Sequence, residues 1–279
     1  MIRSHFGAIA LAALGAFAGA GDSQPAPAAP AYADLADLGL AAPIAAHVRV
    51  ADSVQLRNEQ AAGVRTGWFR FYIEADMVSL IRSAQPLPTR VAFVADLPAG
   101  PAGKPARPKK GSEYLIFAVP AAGPPGTLQL AAPDAEIAYS AADADRLRTL
   151  LREAEAPDAP PRITGIGKAF HVAGSLPGES ETQIFLQTAG GRPVSLSVLR
   201  RPGETARWSV ALSEIVDDSA APPARDSFLW YRLACTLPPA LPAQSLADAS
   251  GPDEAAAIRS DYHFVIDSLG PCTRTRARF

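Results

Sequence analysis

Chemistry in this chain would have to come from four histidines, two cysteines and the polar side chains around them. His5, His47, His171 and His263 are far apart, and no H-x-x-x-H or H-E-x-x-H pair offers the ligand set of a zinc hydrolase. His171 is the one with polar company: it opens the stretch HVAGSLPGESE, which carries Ser175, Glu179, Ser180 and Glu181. A serine, a histidine and an acid are the parts of a nucleophilic hydrolase, yet the chain lacks a G-x-S-x-G elbow. The stretch therefore reads first as a solvated loop between two strands, and only second as a site. His263 falls within a C-terminal helical pattern and reads as a partly buried surface residue.

Cys235 lies in the aromatic run FLWYRLACTLP and Cys272 in LGPCT. No C-x-x-C motif suggests redox chemistry, and no spaced histidine pair completes a metal site. An even pair of cysteines reads as a structural disulfide, and closing a loop of about 37 residues contributes roughly 3–4 kcal/mol. Trp230, Tyr231 and Leu233 then read as packing around that staple. No metal or cofactor is expected.

Phosphate-binding loops are also missing: the chain has neither G-x-x-x-x-G-K-[ST] nor G-x-G-x-x-G. Asp217 and Asp218 in SEIVDD lack the spaced oxygen ligands of a calcium loop. One charge cluster stands out. GKPARPKKG carries Lys104, Arg107, Lys109 and Lys110 with no acid among them. Such a loop suits an anionic polymer, a lipid headgroup or an acidic partner, or simply keeps an exposed loop soluble. A second basic group, Arg274, Arg276 and Arg278, reads as a frayed tail ending at Phe279.

The elements that must position these residues can be read from the apolar pattern. Hydrophobic residues make up 48% of the 279-residue chain and charged ones 19%, enough for a sizeable core. A formal charge of −2 gives no basic field for nucleic acid. An apolar run, GAIALAALGAF, follows Arg3 and precedes Ala18-Gly19-Ala20; this matches an export signal cleaved after Ala20 and is too short to span a bilayer. Residues 21–33 read as a disordered Pro/Ala tether, with globular sequence from Asp34. Strands are expected at residues 44–56, 67–81, 89–98, 112–121 and 126–133, the first half ending in a helix capped by Ser140 with Leu147, Leu150 and Leu151 inward. Residues 162–172 suggest another strand, followed by a three-stranded meander turning at Gly190-Gly191 and at Pro202-Gly203. A short helix capped by Asp226 and a longer one starting at Pro252 complete the pattern. Ile258, Tyr262, Val265 and Leu269 form the stripe of the longer helix.

In the first half, GSEYLIFAV (Gly111 to Val119) follows a long second strand and an opening segment from Asp34. On these features residues 34–132 resemble the OB-fold-like modules of exported bacterial proteins. The resemblance implies a small β-barrel that binds across one face, with no catalytic residue to carry over.

The expected fold is thus α+β, an OB-like small β-barrel followed by an antiparallel β-meander with two C-terminal helices. The expected layout is a signal peptide at 1–20, a tether at 21–33, a barrel domain with its helix at 34–157, a disulfide-stapled domain at 158–273 and a basic tail at 274–279. The function this suggests is that of a periplasmic binding or scaffolding protein of the envelope. Its partner would be another protein or an anionic envelope polymer, without nucleic acid and without a membrane span. The alternative is an exported hydrolase using His171 with Ser175 or Ser180.

Overall fold

A computed structural model describes residues 29–213 and 221–276. Among these the chain is mixed α+β, with two antiparallel sheets and four α-helices. The expected signal peptide, most of the tether, Asp217, Asp218, Arg278 and Phe279 lie outside the described residues.

Order begins earlier than Asp34. Helix α1 spans Tyr32–Ala41, and Asp34 accepts from the Ala31 N–H at 3.2 Å to cap its first turn. Leu35, Ala36 and Leu38 are fully buried. The Arg82 guanidinium closes the other end, donating to the carbonyls of Gly39 and Ala42 that the last turn leaves open. Gly39 also lets α1 approach α2 (Ala141–Glu155), because a Cβ there would stand 3.0 Å from a Leu147 methyl.

The first sheet contains β1 (Ile44–Gln55), β2 (Trp68–Arg82), β3 (Arg90–Pro98), β4 (Glu113–Pro120), β5 (Leu128–Leu130) and β6 (Glu136–Ala138). Its order is β3-β2-β1-β4-β5, with β6 also on β4. Alternation on β2 works as the pattern requires, Phe71 and Ile73 being buried and Tyr72 exposed. No closed barrel forms among the described residues. β3 meets the residues flanking β5 at one isolated parallel bridge, Ala92 to Thr127, helped by Ala92 N–H to Gly126 O at 2.9 Å and Asp96 N–H to Pro133 O at 2.6 Å. Pro120, Pro124, Pro125 and Pro133 flank β5, and a residue without an N–H cannot extend a ladder.

The second sheet is a plain meander of β7 (Ile163–Ala173), β8 (Ser180–Thr188), β9 (Val194–Arg200) and β10 (Arg207–Ala211). Gly190 and Gly191 take φ of 87° and 72°, as the β8–β9 turn requires. Helix α3 (Phe228–Ala234) is capped by Ser227, whose hydroxyl accepts from Trp230 N–H at 3.2 Å. The expected cap, Asp226, instead sits just outside the helix at φ 59°. Helix α4 (Pro252–Leu269) buries Ile258, Tyr262, Val265 and Leu269 against β7 and β8.

The halves meet through helices. α3 packs on α1 and α2, where Tyr32 and Trp230 make an edge-to-face pair at 6.2 Å and Tyr231 donates to Asp37 at 2.6 Å. One buried apolar cluster runs through both halves. The basic segment expected as a frayed tail instead crosses back. Arg274 pairs with Asp37 at 2.6 Å, Thr275 donates to Asp34 at 2.6 Å, and Arg276 pairs with Asp134 at 3.0 Å.

Candidate functional site

The basic loop is built from its base upward. Ser53 on β1 is 2% exposed and donates its hydroxyl to Pro108 O at 2.8 Å, pinning the loop's far limb to the sheet. Arg107 reaches the same hydroxyl at 3.1 Å and pairs with Asp52 at 3.1 Å. Backbone bonds from Gly111 N–H to Val50 O and from Gly100 N–H to Lys104 O, both 2.8 Å, fix the two ends. Of the four cations, Arg107 is therefore spent on anchoring. Among the described residues Lys104, Lys109 and Lys110 are exposed and enter no ion pair. An open cleft of about 530 Å³ lies under the loop, lined by Val54, Gln55, Arg57, Phe71, Lys104 and Arg107. Val54, Tyr72 and Val94 form an exposed cross-strand row beside it.

His171 lies within β7 rather than opening a loop, and its partners are not the serines near it in sequence. Ser175 turns to Glu179, whose carboxylate accepts from the Ser175 N–H at 3.1 Å and caps the β7–β8 turn. Ser180 pairs with Ala173 in the sheet register. His171 Nδ1 instead meets Thr182 Oγ1 at 2.8 Å, and Thr182 donates to Asp261 at 2.5 Å. Because the hydroxyl proton goes to the carboxylate, Thr182 accepts from His171, which places a proton on the imidazole Nδ1. Asp261's other oxygen accepts from Arg200 at 2.7 Å. Thr182 is fully buried and Asp261 is 2% exposed, so this is a satisfied interior network joining β7, β8, β9 and α4.

His47 is likewise interior. It stacks on Tyr139 at 3.6 Å and meets Glu113 at 2.9 Å. Arg49, and after it His47, hold the Glu113 carboxyl below the usual range. His263 is exposed on α4.

Cys235 and Cys272 form the disulfide expected from the sequence. It joins the end of α3 to the residues after α4, just where the chain turns back toward α1. Trp230 donates to Leu269 O at 2.8 Å and Tyr262 to Pro238 O at 2.5 Å within the same packing.

Sequence proximity thus placed the histidine with the wrong hydroxyl. Thr182, Arg200 and Asp261 were missed, since up to 79 residues separate the members of each pair. A useful signal existed: Asp261 precedes Tyr262 in the buried stripe of α4, and an acid at such a position needs partners.

No protein-family model and no curated protein matches the chain. Among the described residues no helix is long and apolar enough to cross a membrane, and no cluster of three or more metal-ligating side chains occurs.

Proposed function

We propose that the protein is an exported binding module of the envelope that holds an anionic polymer across the β1–β2–β3 face and the 101–111 loop. One observation carries this reading: Arg107 is consumed in fixing the loop, while Lys104, Lys109 and Lys110 stand unpaired on a pinned backbone. A loop kept soluble by charge alone needs no such anchoring, whereas prearranged cations lower the ordering cost of binding. The choice of face draws on the OB-like resemblance of residues 34–132, since the ligands of such modules lie across that side. Export is supported by the disulfide, since such bonds persist in oxidising compartments, together with the apolar run before Ala20.

The test is binding to a polyanion such as heparin over a salt series. Wild-type affinity should fall with salt, and Lys109→Glu/Lys110→Glu should weaken it and flatten the slope. Equal binding by the reversal variant would remove the loop from the site.

A second reading, a hydrolase, draws support from the Thr182–Asp261 backing of His171, which orients the imidazole as a general base requires. Labelling by a fluorophosphonate that disappears in His171→Ala would favour it; an unlabelled wild type would remove it.

A further inference from the structure

Beyond the basic loop, the most unusual buried group in the molecule is Glu136. It is 8% exposed, and its Oε2 has no hydrogen-bond partner. Arg276, across from it, also carries a buried Nε without a partner, although its terminal nitrogen pairs with Asp134. Both residues line one cleft of about 470 Å³, within the range usual for ligand sites. Five consecutive residues, 136–140, form one wall, and Pro30, Thr275 and Arg276 contribute to the other.

The backbone of that wall is an edge. β6 pairs only with β4, through Ile137 opposite Leu115. Phe117 N–H to Ala135 O and Tyr139 N–H to Glu113 O, both 3.0 Å, continue that pairing. Ile137 and Tyr139 thus face β4 with their amides and Ala135 with its carbonyl, the Ala135 N–H going to Ala132 O at 2.9 Å. By the alternation of an antiparallel ladder, Glu136 and Ala138 turn their amides the other way. Glu136 N–H is met by its own carboxyl. The Glu136 carbonyl and both Ala138 backbone groups have no backbone partner among the described residues.

We propose that this cleft is a docking groove for a short extended peptide, added along the free edge of β6, with a peptide amide N–H donating to Glu136 Oε2 and the Arg276 Nε–H donating to a peptide carbonyl. A peptide carries donors and acceptors at the spacing that an open strand edge presents, so it satisfies the orphaned carboxyl, the orphaned guanidinium nitrogen and the strand together. A simple anion would satisfy Arg276 alone and be repelled by Asp134 and Asp143; a simple cation would satisfy Glu136 alone. Burial, opposed in part by Arg276 and reinforced by Asp134 and Asp96, pushes the Glu136 carboxyl well above the usual range. An isolated buried acid of this kind works against folding, so its presence calls for a use outside the fold.

The test is selection of the full chain against a displayed library of random peptides of about eight residues, followed by calorimetry on the enriched sequences. The expected result is a peptide whose binding protects the Ala138 amide from hydrogen exchange. Glu136→Leu should weaken that binding by about tenfold, the loss of one strong hydrogen bond, while its melting temperature stays level or rises. Glu136→Gln keeps a carbonyl acceptor and should bind within about threefold of wild type. Lys109→Glu/Lys110→Glu should leave peptide binding unchanged, which separates this groove from the basic loop. The proposal is overturned if no peptide is enriched, if Glu136→Leu binds as well as wild type, or if protection falls on the 104–110 loop instead.

Discussion

The two halves of the molecule bury an acid in opposite ways. In the second half Asp261 is held by Thr182 on one oxygen and Arg200 on the other, with His171 behind the threonine. In the first half Glu136 is buried almost as deeply and leaves one oxygen without a partner. The contrast separates two meanings of a buried charge. A fully satisfied network ties elements together, here α4 to three strands, and removing any member leaves the others stranded. An orphan ties nothing together; removing it costs the fold nothing and takes away only a capacity to bind.

The sharpest way to break this comparison is to truncate each acid. Asp261→Ala leaves Arg200 and Thr182 unpaired and should destabilise the protein by about 3–5 kcal/mol in urea unfolding. Glu136→Leu should be neutral or stabilising in the same titration. A large loss in both variants would mean that Glu136 is a structural member after all.

Next in size is the staple. Cys235→Ser/Cys272→Ser opens the loop between α3 and α4 and should cost about 3–4 kcal/mol by the chain-entropy estimate, read as a lower urea midpoint. If Asp261 and the disulfide hold separate parts of the second half, the two losses should add.

A smaller effect is expected at Tyr231. Its hydroxyl is pushed up to about 12 by burial and by its bond to Asp37. A phenol held neutral in the folded state contributes stability that is complete below its ordinary value and is lost as pH rises through the folded one. Melting temperature should therefore fall between about pH 10 and pH 12, and Tyr231→Phe should flatten that fall. At neutral pH the same variant should lose about 1 kcal/mol, one hydrogen bond.

The subtlest test uses pH on Glu136. Its folded-state value lies above that of the unfolded chain, so the native protein favours the proton. Stability from this group is full below the ordinary carboxylate range and declines as pH rises through the folded value. Wild type should lose melting temperature relative to Glu136→Gln across that rise. Parallel curves would show that burial of this acid carries no linkage.

The same contrast explains what could be read from the sequence. The strands of the meander, the long β2 and helix α2 carry their own period, so alternation or a leucine stripe finds them. The disulfide was legible from cysteine count and from helix ends. Helix α1 was not, because it follows Pro30 within a Pro/Ala stretch whose prolines masked the Leu35–Leu38 spacing. β6 has three residues, too few for a period. An OB-like small barrel was expected from the number of strands and from the resemblance, but the backbone donors missing at the prolines around β5 bear on whether a ladder forms. Candidate sites fared least well, because His171 finds its hydroxyl across a strand pair and its acid on a helix 90 residues on. Such pairings are made by topology; local sequence shows that Asp261 needs partners but not which residues they are.

The return of Arg274 and Thr275 to α1 has a consequence for how the chain acquires its shape. These contacts span 237 and 241 residues. Asp34 and Asp37 therefore remain without those partners while nearly all of the intervening chain emerges and collapses. Contacts of such long range form late, after the loop-closure cost between them has been overcome by other packing. α1 is thus completed by residues 274–276, and a product that stops short of residue 274 should hold its sheets but keep α1 open to exchange.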